Sequence, residues 1–188
     1  MCYCPHCGHP VRHCVPAGDN RPRAVCDACG AIHYENPKLV LGCVAEWQGR
    51  VLLCRRAIAP RLGRWTLPAG FMENGESTQA AALRETLEEA CAQVRIEALF
   101  ALVDIPAISQ THLFYRGTLT DGQHAPGVES LETALWREEE IPWAELAFPS
   151  VRFCLERYFA DRRRGAFGTH VKCENWPPEA GDAALAPP

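Results

Sequence analysis

Three glutamates, Glu85, Glu88 and Glu89, stand at i, i+3 and i+4 in a stretch without glycine or proline that runs from about Gln79 to Gln93. On a helix those intervals turn three carboxylates to one side. Like charges so spaced cost roughly 0.3 kcal/mol per pair, so a cation among them is what makes the cluster favourable. Magnesium suits carboxylates combined with phosphate oxygens. Arg84 lies one turn before Glu88 and can pair with it. An acidic helix face is more often simply solvated, so the spacing alone does not assign a metal. Leu83, Leu87, Ala90 and Cys91 recur at i, i+4, i+7 and i+8 and are expected to form the packing stripe, opposite the glutamates.

A second set of residues is as specific. Cys4-Pro5-His6-Cys7 and Cys26-Asp27-Ala28-Cys29 are two C-x-x-C pairs at the separation of a zinc ribbon, each followed by a glycine, Gly8 and Gly30. Glycine there lets the backbone turn through positive φ beneath the thiolates. Four thiolates fill a tetrahedral site, so zinc held by Cys4, Cys7, Cys26 and Cys29 is expected to be structural. The segment between the pairs has little apolar material, and metal binding would supply most of its folding free energy. The 11 cysteines are an odd number, and no export signal precedes them, which argues against a disulfide framework. Cys43, Cys54, Cys91 and Cys154 are expected to be small core residues.

The elements that must position these groups follow from patterning. At 188 residues, 47% hydrophobic and 22% charged, with a formal charge of -4, the chain has room for one full domain and one small module. It lacks the basic excess of a general nucleic-acid binder. No apolar run is long enough to span a bilayer, and a cytoplasmic protein without membrane contact is expected. Asn36-Pro37 marks a boundary. The divisions expected are a zinc ribbon over 1–35, a larger domain of mixed strands and helices over 36–164, and a loose carboxy-terminal extension over 165–188. Within the large domain, strands are expected over Leu39–Trp47, Val51–Arg55, Trp65–Leu67, Val94–Asp104, Thr111–Leu119 and Leu131–Arg137. A closing amphipathic helix is expected over Pro149–Arg163, with Val151, Leu155, Tyr158 and Phe159 inward. His170 and Cys173 carry no evident role.

Gly70, Glu76, Arg84, Glu85, Glu88 and Glu89 together match the six glycine or polar positions, from Gly70 to Glu89, of the pattern G-x5-E-x7-R-E-U-x-E-E-x-G-U, and the segment resembles the Nudix box. Thr86 replaces the usual bulky aliphatic residue and Cys91 the late glycine, so a helix running on through Cys91 is expected. The ribbon, Asn36-Pro37-Lys38, Leu52-Leu53-Cys54-Arg55-Arg56, the approach from Gly63 to Gly70, Asp104-Ile105-Pro106 and the run from Ala125 to Glu132 extend the likeness over most of the chain. They resemble zinc-ribbon Nudix hydrolases that act on FAD and ADP-ribose. The signature of NADH pyrophosphatases, S-Q-P-W-P-F-P-x-S, is missing, so an NADH pyrophosphatase stays open as the weaker alternative.

That resemblance implies a mixed α/β sheet in an α-β-α sandwich, and hydrolysis of a diphosphate linkage in a small-molecule nucleotide. It implies magnesium, or manganese, at Glu85, Glu88 and Glu89, with Glu76 and Arg84 orienting the helix. It also implies homodimerisation, and a further loop glutamate as base or ligand. Glu132 is preferred over Glu129 for that role because it precedes the apolar Leu135-Trp136. Arg55 or Arg56 is a candidate phosphate contact, Gly70 a close-approach residue, and Trp65, Phe71 and Tyr115 candidate stacking partners. Two other function classes stay open: an ADP-ribose-sensing regulator that does not cut, and an RNA-end hydrolase, with nucleic acid disfavoured by charge.

Overall fold

The computed structural model describes residues 1–174, which divide after Pro37 into two compact units. The first holds three short strands, β1 (Arg12–Cys14), β2 (Arg23–Val25) and β3 (Ile32–His33), paired antiparallel in that order. Two of its three arginines are matched by acids, Arg12 with Asp27 at 2.8 Å and Arg23 with Asp19 at 2.9 Å.

The second unit is built on a mixed sheet. Its elements are β4 (Lys38–Trp47), β5 (Arg50–Arg56), β6 (Trp65–Thr66), β7 (Ala69–Phe71), α1 (Thr78–Ala90), β8 (Val94–Ile105), β9 (Gln110–Leu119), β10 (Ser130–Trp136), α2 (Pro149–Arg164) and β11 (His170–Cys173). The strand order is β10-β5-β4-β9-β8-β11, with β6 on β5 and β7 on β4. The β4–β9 and β11–β8 pairs are parallel, and the others are antiparallel. No helix among the described residues is long and apolar enough to cross a membrane.

Period-2 alternation sends side chains to the two faces of the sheet. Val51 and Leu53 join a core with Val44, Phe100, Phe114 and the inner side of α2, where Val151, Leu155, Tyr158 and Phe159 are buried as expected. Leu52 and Cys54 point the other way, into a core with Leu41, Cys43, Ala45 and the alanines of α1. The result is an α/β sandwich with one helix on each face.

Three expectations are corrected here. The helix α1 packs through Ala81, Ala82, Thr86 and Ala90, and Glu85 and Glu89 are also buried, whereas Leu83 and Leu87 are 37% and 52% exposed. The helix approaches the sheet on small side chains, so Glu85 and Glu89 turn inward while Glu88 and the leucines stay exposed. The helix also stops at Ala90 rather than running through Cys91. Cys91 is exposed and takes the left-handed conformation, φ 48°, its N–H bonding Leu87 O at 2.9 Å. It therefore adopts the backbone that a glycine at this position would adopt freely. Finally, the segment after Gly165 is not loose throughout, because His170–Cys173 adds a parallel edge strand to β8. His170 Nε2 bonds the fully buried Asp161 at 2.8 Å, which gives it a structural role. The remainder of the expected extension, 175–188, lies outside the described residues.

Candidate active site

The cleft arises where two central strands part. β4 pairs with β5 only at Glu46–Trp47, then turns to β7 over Val40–Gly42, while β5 pairs with β6. The opening between them is a cavity of about 920 Å³, lined by Glu85, Glu88 and Glu89 from α1, Arg84, Arg56 from β5, and Gly70 from β7.

Ser77 starts the helix by accepting from Ala80 N–H at 3.1 Å, and this places Arg84 at the cleft. Arg84 reaches Glu76 at 2.5 Å, Glu85 at 2.7 Å, Glu88 at 2.9 Å and Phe71 O at 3.0 Å. Those carboxylates raise its already high pKa, with Glu76 the main cause. Glu89 accepts from the Ala69 N–H at 3.0 Å. Burial drives Glu89 up to about 7, opposed by that amide and reinforced by Glu85. Burial also raises Glu85, against the pull of Arg84. A side-chain methyl at Gly70 would collide with the Glu85 carboxylate, so only glycine admits that group.

The loop before β10 brings a further acid. Ala125 N–H donates to Ala90 O at 2.8 Å and Gly127 N–H to Glu89 O at 3.0 Å, which satisfies carbonyls at the end of α1. A methyl at Gly127 would overlap the Glu88 carbonyl. The strap leaves Glu129 lining the cavity, with its own carbonyl accepting from Ala57 N–H at 2.8 Å.

Three candidates lie elsewhere. Arg55, Trp65 and Glu132 share the sheet face that packs α2, opposite Arg56, Leu52 and Cys54. Glu132 sits opposite Arg55 across the β5–β10 pair, after a register shift, and their side chains approach to 3.7 Å near solvent. Trp65 is core, edge-on to Trp136 at 5.2 Å. Glu129 lines the cavity, whereas Glu132, on the alternate face of its strand, does not. Tyr115 is core as well, bonding Thr78 at 2.6 Å, whereas Phe71 lines the cavity beside Lys38. Gln110, His112 and Ser150 also line it, without any motif in the sequence to announce them.

The side chains present offer two sites to metal ions. In the first unit the four Sγ atoms of Cys4, Cys7, Cys26 and Cys29 lie within 4.8 Å of one another, with Cys4–Cys29 at 3.7 Å and Cys7–Cys26 at 3.5 Å. A tetrahedron with Zn–S bonds of about 2.3 Å has S···S edges of about 3.8 Å, so the set fits structural zinc. Gly8 and Gly30 both take φ +74° and bond back to the first cysteine of each pair at 2.8 Å. The glutamates do not gather so closely, because Arg84 and the Ala69 amide hold them. Their donor chemistry nonetheless suits a hard cation: carboxylates held together, two of them with burial opposing their charge.

Comparison with known proteins follows the same division. Residues 2–35 match the family described as Nudix N-terminal, a zinc ribbon, and residues 36–152 match the NUDIX domain. A crystal structure of a NUDIX hydrolase from Nitrosomonas europaea is 48% identical and superposes with a TM-score of 0.91, covering 94% of this chain and 100% of that one. An NAD-capped RNA hydrolase from Stutzerimonas stutzeri is 28% identical over 164 residues, 85% of this chain and 56% of its own length. An ADP-ribose pyrophosphatase from Methanocaldococcus jannaschii is 30% identical over 73 residues, 39% of this chain and 43% of its own. The chain thus spans about half the length of these two curated relatives.

Proposed function

The chain belongs to the Nudix family, and from that premise we propose that it hydrolyses the diphosphate linkage of a nucleotide derivative, FAD or ADP-ribose, releasing AMP and the partner phosphate. The observation that carries this reading is the convergence of Glu85, Glu88, Glu89, Arg56 and Arg84 on one cavity. Glu85, Glu88 and Glu89 are the residues that would hold magnesium or manganese, which when bound supplies positive charge to phosphate oxygens and to water.

The chain's own groups divide the remaining work. Arg84 orients Glu85 and Glu88, and Arg56 reaches the same cavity as a guanidinium for a phosphate oxygen. Glu129 is the proton acceptor for the attacking water. The water oxygen bonds to one phosphorus as the bridging P–O bond breaks, and that electron pair leaves on the partner phosphate. The apolar walls, among them Val40, Phe114 and Val151, limit bulk water at the far end.

A second reading, an NAD-type dinucleotide free or capping an RNA, is favoured by the likeness to the S. stutzeri protein. Against an RNA grip by the ribbon stands the pairing of two of its three arginines, Arg12 and Arg23, with acids. Incubation of the purified chain and magnesium with FAD, ADP-ribose, NADH and NAD-capped RNA tests both. AMP from FAD or ADP-ribose supports the first reading, turnover confined to NADH or capped RNA the second, and no cleavage of any refutes both.

A further inference from the structure

The cavity has a second end that the hydrolytic residues do not use. Gln110 and His112, alternate residues of β9, form a chain with Ser150 in the first turn of α2. His112 Nε2 lies 3.0 Å from Gln110 Oε1, and Nδ1 lies 3.1 Å from Ser150 Oγ. All three side chains are buried and all three line the cavity, between the apolar walls of Val40, Phe114 and Val151. With the Gln110 oxygen facing it, the ring carries its proton on Nε2 and donates, while Nδ1 accepts from the Ser150 hydroxyl. Burial holds the imidazole neutral, its pKa down at about 4.

One donor is left over. Gln110 is only 4% exposed, yet its Nε2 makes no hydrogen bond among the described residues. Gln110 lines the cavity, so this donor is within reach of a ligand held there. A ligand acceptor at that point would give the amide the partner it lacks. The location is informative as well. Val40 is in register with Phe71 on one side and His112 on the other. The chain of three therefore stands two inter-strand spacings, about 10 Å, from the β7 strand that touches Glu85 and Glu89.

We infer that Gln110, oriented by His112 and Ser150, is the residue that selects the nucleobase: a flat, uncharged ring lies between Val40, Phe114 and Val151 with an acceptor on its edge turned to Gln110 Nε2. The diphosphate then extends toward the glutamates. This orientation rests on the hydrolase reading, but the base site itself does not.

The test is equilibrium binding of AMP, GMP, UMP and CMP to the full chain by calorimetry, with ribose 5-phosphate as the baseless control. The wild type should rank the four bases over at least about tenfold, and Gln110→Leu should pull the tightest down by about tenfold, the value of one lost hydrogen bond. Ser150→Ala, which frees the histidine, should shift the ranking the same way by less. Ribose 5-phosphate should bind all three proteins alike. Should Gln110→Leu not fold, Gln110→Glu, which exchanges a donor for an acceptor, must lose the same preference. A wild type that binds the four alike, or a variant that keeps the ranking, overturns the inference. Base ranking without any AMP release from diphosphates would instead retain the site and remove the hydrolase reading.

Discussion

Replacing Glu89 with glutamine is expected to stabilise the magnesium-free protein, by an amount that grows with pH. Burial moves this carboxyl from its ordinary 4.5 to about 7. Below the lower value it is protonated both folded and unfolded and contributes nothing to stability. Between the two, the unfolded chain releases the proton and the folded chain keeps it, so stability falls as pH rises. Above the upper value the full penalty applies, about 3 kcal/mol for a displacement of that size. Glutamine keeps an oxygen for the Ala69 amide and carries no charge. For a chain of this length the gain is about 6–12 °C in melting temperature at about pH 8, and near zero at about pH 4.5. Melting followed by circular dichroism in magnesium-free buffer, with zinc left in place, reads it directly. Magnesium should raise the melting temperature of the wild type more than that of the variant. A difference that stays flat with pH, or a variant less stable at about pH 8, refutes the reasoning.

Cys91→Gly should raise stability by about 0.5–1 kcal/mol, because the left-handed backbone at that exposed position favours glycine, with turnover unchanged; denaturant melts check it. Glu129→Gln should lower kcat by about a hundredfold or more, whereas Glu132→Gln, on the opposite face, should stay within about twofold of wild type in steady-state assays. Gly70→Ala should push the Glu85 carboxylate aside and cost at least about tenfold in kcat/KM with little change in folding, read by kinetics beside circular dichroism. Cys26→Ser should lower the zinc content measured by atomic absorption and expose residues 1–37 to proteolysis, leaving the second unit resistant.

The zinc ligands and the acidic helix were legible because each depends on intervals along one short segment. What escaped the sequence depends on contacts between distant segments. Periodicity sets Leu83 and Leu87 inward on hydrophobicity alone, but α1 approaches β4 closely through Ala81 and Ala82, and this turns Glu85 and Glu89 toward the core side. The choice between Glu129 and Glu132 hinges on a register shift at the start of β10 and on Gly127 lying against α1. Neither leaves a mark in composition. Strand β11 pairs in parallel with β8, about seventy residues earlier by register, and its four residues have no pattern of their own. Gln110, His112 and Ser150 meet only once α2 is docked, so no motif announces them.

Turnover of ADP-ribose and FAD by the wild type and by Glu88→Gln, at matched magnesium and with both melting curves recorded, probes the role of the α1 carboxylates most directly. AMP release that falls by at least about a hundredfold in the variant, with its melting temperature preserved, is the predicted result. Equal AMP release by the two proteins would contradict it.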